Sequence, residues 1–458
     1  MNRFMLPAEG SIKPSDRAVP IRPLLVVALA MALGAPPSPA SASPLWTGVV
    51  PGADAYGQHR NAVDSNGNVV AISNLGGDWL VVKYNPAGSE LWRRTYDSGG
   101  NDNAGDVAVD GAGNVYVTGY SSEYSITTIK YDAAGGQLWL ATHAGFYSVD
   151  RPNRIALDGA GSVYVGTSSA VQDGPAPWLT SDFLTIKYST TGVLSWSAWY
   201  AGPAQGADVL KAIRVDGAGD VLVTGFITGA GSGTAAYDVA TVKYSSSGSQ
   251  LWVARYEGPA NDEPRGLGVD AQNNVFVTGR TRTSTTDYDF LTIKYSAAGS
   301  EQWRRTYAGF GGNRYDYANA LVVDNQGRVT VTGQSEASRP PSWCTRMGWG
   351  DMVTVQYDGA GAQRWVARQA IGSCSGEEGN AIATDASDNL IVTGKNTQEG
   401  TGSGYLTVKY DTTGRRKWSE TYITNSQPSG GRSVNTDAAG NAFVTGNGDG
   451  LRTFKYAP

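Results

Sequence analysis

Aspartate recurs at Asp64, Asp110, Asp158, Asp216, Asp270, Asp324, Asp385 and Asp437, each time closing a short run such as "VAVD", "IALD", "IRVD" or "LVVD". The same phrase follows each of them, fullest as "VAVDGAGNVYVTG" and then "TIKYDAAGGQLW". A repeat of roughly 40–60 residues marks units that cannot bury an apolar face alone and must stack on copies of themselves. That requirement narrows the fold before composition is considered.

Each copy divides into four short runs in which β-branched or aromatic residues alternate with small or polar ones, a period-two signal for strands. The first run ends at the landmark Asp, the second is "NVYVTG" or a variant, the third "TIKY" or "TVKY", and the fourth starts at a Trp. Three positions after the landmark stand Gly67, Gly113, Gly161, Gly219, Asn273, Gly327, Asp388 and Gly440. Those residue types accept a left-handed backbone most readily, so a tight hairpin with positive φ is predicted there. A second such turn is predicted after the third run, where glycine precedes tryptophan by four: Gly88/Trp92, Gly135/Trp139, Gly192/Trp196, Gly248/Trp252, Gly299/Trp303, Gly361/Trp365 and Gly414/Trp418. That gives seven fourth strands for eight copies. The missing one is present at Trp46 in "SPLWTGVV". The chain is therefore predicted to be all-β: an eight-bladed β-propeller of four-stranded antiparallel blades, closed by the N-terminal strand pairing with the last blade. Closure removes the sheet edge that would otherwise template aggregation.

"VDGAGNVYVTG" and "TIKYDAAGGQLW" resemble the bacterial secreted beta-propeller repeat (SBBP) family over nearly all of residues 44–458. The resemblance implies a secreted or surface location and the propeller fold, and implies little about activity. A weaker similarity is to eight-bladed pyrroloquinoline-quinone propellers, whose Asp-x-x-Thr-Gly-x-x-x-Trp frame is matched by "DTTGRRKW" from Asp411 to Trp418. Members of that family often carry adjacent cysteines over the cofactor, which this chain lacks, so the frame is read as outer-strand packing.

Residues 1–42 are read as a signal peptide and 43–458 as a single propeller domain. Arg17 and Arg22 precede "LLVVALAMALGA", and Ala40-Ser41-Ala42 supplies a small-residue cleavage motif. A true start at Met5 is also compatible with that pattern. The apolar run is well short of the ~20 residues needed to span a bilayer. A secreted, periplasmic or cell-surface protein is expected, without a transmembrane segment and as a monomer. Removal of the leader takes four cations and two anions with it, moving the net charge from −5 to −7. A chain of that balance with no basic run lacks the footprint of nucleic-acid binding.

Strand order sorts the connections onto two rims. The short glycine turns lie on one, and the loops of variable length on the other. Eight residues before the landmark stand Asp102, Asp150, Asp208, Asp262, Asp316 and Glu377. If the first strand lines the channel they form an arc at its mouth. Two carboxylates ~8 Å apart at an effective dielectric of ~20 repel by roughly 2 kcal/mol, so the arc needs donors or a cation. Either each acid caps its own turn or the set holds a hard cation, for which oxygen-only ligation suits Ca²⁺. A second set, Asp78, Asp182, Asp238, Asp289 and Asp351, precedes the third strand on the same rim. Lys83, Lys130, Lys187, Lys243, Lys294, Lys409 and Lys455 are read as structural ion-pair partners of the landmark acids.

Blade six carries the longest insertion, "SEASRPPSWCTRMGWG", with Trp343, Arg346 and Trp349, and blade three carries Trp178. Insertions have no need of tryptophan for the fold. These residues are candidate anchors for a glycan, peptide or protein, or else pack on the rim themselves. Cys344 and Cys374, the two cysteines, belong to loops of that same rim, and with an export signal a disulfide between them is expected. His59 and His143 are the only histidines and lie in other blades, which leaves little for a hydrolytic triad or a zinc site. A binding or scaffold module with no catalytic constellation is expected. The alternative is a Ca²⁺-dependent hydrolase or lyase acting on glycans through the rim carboxylates.

Overall fold

The computed structural model describes residues 42–54, 57–121, 125–144, 154–171, 180–204, 206–229, 236–283, 287–309, 315–336, 350–371, 375–398, 402–424 and 429–458. They form eight four-stranded antiparallel sheets. In chain order the innermost strands are Arg60–Val63, Asn103–Val109, Arg154–Leu157, Val209–Val215, Asp262–Val269, Asp316–Val323, Ser375–Thr384 and Gly430–Thr436. The eighth sheet takes its outer strand from Trp46–Val50, which pairs antiparallel with Gly450–Tyr456 and sets Trp46 opposite Lys455 and Val50 opposite Leu451. The chain is an eight-bladed β-propeller whose ring is closed by its two ends.

The turns behave as their residues require. Gly67, Gly113, Gly161, Gly219, Gly327 and Gly440 have φ between 71° and 82°, and Asn273 and Asp388 stand at 61° and 59°. The landmark aspartate holds each turn: Oδ1 of Asp110 accepts from the N–H groups of Ala112 and Asn114 at 3.0 and 2.9 Å. Asp270 does the same for Gln272 and Asn274. An apolar residue there would leave two N–H groups without acceptors, so the repeated aspartate is turn chemistry.

Tryptophan joins one blade to the next. Nε1 of Trp92 donates to Ala133 O at 3.0 Å, and Trp139, Trp196, Trp252 and Trp303 bond the corresponding carbonyls of Thr190, Ser246, Ala297 and Gly359. Trp46 repeats the contact across the closure, bonding Pro86 O at 3.0 Å. Each indole therefore lies over the glycine turn of the following blade. The lysines tie the same joint. Lys83 lies 3.0 Å from Asp64 and donates to Gly113 O, while Lys243 and Lys409 approach Asp216 and Asp385 at 2.6 and 2.8 Å. In blade six Gln356 replaces the lysine, and Arg328 pairs with Asp324 instead and reaches Asp388 of blade seven.

Candidate functional site

Four of the rim acids cap the turns that lead into the inner strands. Asp102 accepts from the Ser98 N–H and hydroxyl, Asp208 from Gly202 and Thr228, Asp262 from Gly258, and Asp316 from Gly309 and Glu336. All four are buried, and Glu377 is 0% exposed. The second acidic set adds a neighbour from the preceding blade: Asp238 acts on Asp262, Asp289 feels Asp316, and Asp351 acts on Glu377. Asp150 lies outside the described residues.

Glu377 is the extreme case. The Ser375 hydroxyl and the Ile371 N–H approach it, yet neither carboxylate oxygen gains a hydrogen bond of good geometry. Burial, and then repulsion by Asp351, push its carboxyl up to about 7. Asp262 is raised to about 6, again chiefly by burial. A raised folded-state pKa means the native state holds more protons than the unfolded chain. These two acids therefore favour folding at low pH, and their contribution is lost as pH rises from about 4.5 to 7. Asp64, Asp110 and Asp385, held below the usual carboxylate value by their hydrogen bonds, act in the opposite sense only in stronger acid. Asp238 is likewise raised to about 6 by burial and then Glu257, so urea denaturation should show stability falling by about 4 kcal/mol between pH 5 and 8, with about half of the drop abolished by Glu377→Gln. Parallel pH profiles for the two proteins would refute this assignment.

Asp78, Asp97 and Asp102 each bring a carboxylate oxygen to within 4.8 Å of the others. Loss of water, followed by the charges of Asp97 and Asp102, raises the Asp78 carboxyl. The donor set is all oxygen, the kind a hard divalent cation takes. Trp178, Trp343, Arg346, Trp349, Cys344 and Cys374 lie outside the described residues, and so does the expected disulfide. The same rim does display aromatic residues that loop length had not singled out. Tyr315 is 50% exposed and stacks on Tyr288 at 5.7 Å, while Arg280 and Arg282 sit over the Tyr288 ring at 4.7 and 5.6 Å.

A site that the repeat pattern did not reveal lies along the axis. In six of the inner strands the register shifts by one residue, between Ala104 and Asp106, Leu210 and Ala212, Pro264 and Gly266, Ala318 and Ala320, Gly379 and Ala381, and Gly431 and Ser433. A bulge re-aims the extra side chain, and Lys211, Arg265, Asn319, Asn380 and Arg432 line the central cavity. Several of them clasp the following blade: Arg265 donates to Asn319 Oδ1 at 2.7 Å, Asn319 to Gly379 O at 2.9 Å, and Asn380 to Gly431 O at 2.9 Å. The detectable signal was a polar residue five positions before the landmark in almost every copy of an otherwise apolar strand.

No protein-family model matches the chain. It is 29% identical over 182 residues to the regulatory protein FlaEY of Caulobacter vibrioides, a match covering 35% of this chain and 18% of that protein. The match thus spans under a fifth of the relative's length. Among solved structures, the WD40 β-propeller domain of Doa1 aligns with 78% of this chain and 93% of its own, at 11% identity and a TM-score of 0.41. The Pan2 WD40 domain of Neurospora crassa aligns with 77% and 88%, at 11% identity and a TM-score of 0.42. The propeller assignment rests on the strand pairing of this chain itself. No helix among the described residues is long and apolar enough to cross a membrane.

Proposed function

We propose that this protein is a secreted or surface-located binding module of the bacterial secreted propeller-repeat type, holding a glycan, peptide or protein on its long-loop rim. The exposed Tyr315 stacked on Tyr288, with Arg280 and Arg282 over the Tyr288 ring, carries the reading. An aromatic face left open beside guanidinium groups, on a platform braced by buried turn caps, is the composition of an interaction hot spot. Insertions 172–179 and 337–349, with Trp178, Trp343, Arg346 and Trp349, extend that rim in sequence. The hydrolase alternative fits less well. A catalytic acid has to touch the substrate oxygen, and Asp262 and Glu377 are 0% exposed.

Glycan and surface-protein arrays probed with the purified chain should retain a ligand that is recovered unaltered. Replacement of 337–349 by a short Asn-Gly turn, or Tyr315→Ala, should reduce retention about tenfold with little change in melting temperature. Retention unaffected by both variants, or conversion of the array ligand to a product, would overturn the proposal.

A further inference from the structure

The axial cavity encloses about 800 Å³, within the range of small-molecule sites. Arg60, Arg154, Lys211, Arg214, Arg265 and Arg432 line it, against Asp106, Glu263 and Glu378. Among the described residues this leaves three positive charges in excess, inside a chain whose net charge is −5.

Five of these cations fall into two groups. Lys211 and Arg265 share one carboxylate with Arg280: Glu263 lies 3.2 Å from Lys211, 3.8 Å from Arg265 and 2.7 Å from Arg280. Among the described residues, Asp106 is the acid that acts on Arg154 and Arg214, with Arg60 close by, and its two oxygens already accept from the N–H groups of Val107 and Ile155. Nε of Arg154 donates to Lys211 O at 3.0 Å, but its Nη1 is buried with no partner. Arg214 is tied to Ile213 O and is otherwise open to the cavity. The field of these groups is felt nearby. Loss of water, then repulsion by Arg60, holds the Arg154 guanidinium down to about 9. Buried His59, which adds no charge at neutral pH, is pressed further down by Arg432 and Arg60.

Arg60 and Arg154 are half-buried and Arg214 faces the cavity; an anion that supplies the acceptor missing at the buried Nη1 of Arg154 offsets part of the cost of holding a guanidinium there. We propose that the axial cavity binds a compact polyanion, a small molecule bearing two or more phosphate or carboxylate groups, held by Arg60, Arg154 and Arg214. Guanidinium forks match both oxyanions bidentately. The clasped asparagines and Arg265 keep the wall in place, so little rearrangement is needed on binding. This site is separate from the long-loop rim and stands or falls independently of it.

Isothermal titration of the full chain with pyrophosphate and, separately, with citrate at constant ionic strength tests the inference and distinguishes the two oxyanion chemistries. At least one should bind one-to-one and raise the melting temperature. Arg214→Gln and Arg154→Gln should each weaken binding about tenfold or more, the loss of one charge-assisted contact. Lys417→Gln, exposed on the outer strand of blade seven, should change nothing. Arg214 holds no neighbouring blade, so its variant decides the matter even if Arg154→Gln fails to fold. No saturable heat from either anion up to about 5 mM, or unchanged affinity in folded Arg214→Gln, would overturn the proposal.

Discussion

A chain shortened to begin at residue 52 is expected to lose its closed ring, and a peptide covering residues 42–51 is expected to restore it in trans. Trp46–Val50 is the outer strand of the eighth blade, and without it Gly450–Tyr456 has a free edge. Three losses coincide. The ladder to Gly450–Tyr456 goes, together with the bond from the Leu45 N–H to Lys455 O at 2.7 Å. Buried Val50 no longer covers Leu451 and Phe443. The indole of Trp46, packed against Tyr84 and Phe443 and bonded to Pro86 O, no longer ties blade eight to blade one. Trp46→Ala alone removes the third and should cost about 2–4 kcal/mol. The truncation should do more: an unpaired strand edge recruits other chains. Size-exclusion chromatography should show oligomers, and calorimetry a broadened transition at lower temperature. Added peptide should pair with the open edge as a supplied strand does and return the monomer. A truncated chain that elutes as a monomer and melts as the intact protein does would refute this account of closure.

What the sequence made legible follows from how local each interaction is. Turn chemistry is local. Asp110 and Gly113 sit three residues apart and act on each other's backbone, so eight copies announce the same hairpin. The missing outer strand could be inferred by counting, because Trp46 is the eighth tryptophan of its kind. The partner of each tryptophan was not legible. Within a repeat Gly135 stands four residues before Trp139, yet its contact is Trp92, the indole of the preceding blade. Of the six rim acids, Asp102, Asp208, Asp262 and Asp316 accept turn N–H groups, as one of the two readings of the sequence expected. The pairing of rim acids with Asp238, Asp289 and Asp351 arises only when consecutive blades are packed side by side. The cavity wall was hidden for a different reason. Residues common to all copies serve the blade, and loop length marks the rim, but His59, Lys211, Arg265, Asn319, Asn380 and Arg432 share neither identity nor an insertion. A bulge brings five of them to the axis, and no particular residue type signals a bulge.

Two glycines with the same backbone conformation should respond very differently to alanine. Gly219 and Gly361 have φ of 82° and 81°, so each substitution pays the left-handed penalty of about 1 kcal/mol. A Cβ on Gly219 meets nothing within 4 Å. On Gly361 it lies 2.7 Å from Cδ2 of Trp303 and 2.9 Å from Cγ, closer than carbon atoms can stand. The indole cannot easily yield. It is 8% exposed, bonds Gly359 O at 3.1 Å, and packs on Phe276 and Tyr357 with ring centroids 6.1 and 6.0 Å away. Forcing it aside breaks the joint between blades five and six, so Gly361→Ala should cost about 3 kcal/mol or more in urea denaturation, against about 1 for Gly219→Ala. The excess belongs to the contact, which a double-mutant cycle can isolate. In a Trp303→Leu background, where the ring is gone, the cost of Gly361→Ala should fall to that of Gly219→Ala. Equal losses at the two glycines in the parent protein would mean that the indole does not rest on the turn, and the mechanism that joins each blade to the next would have to be sought elsewhere.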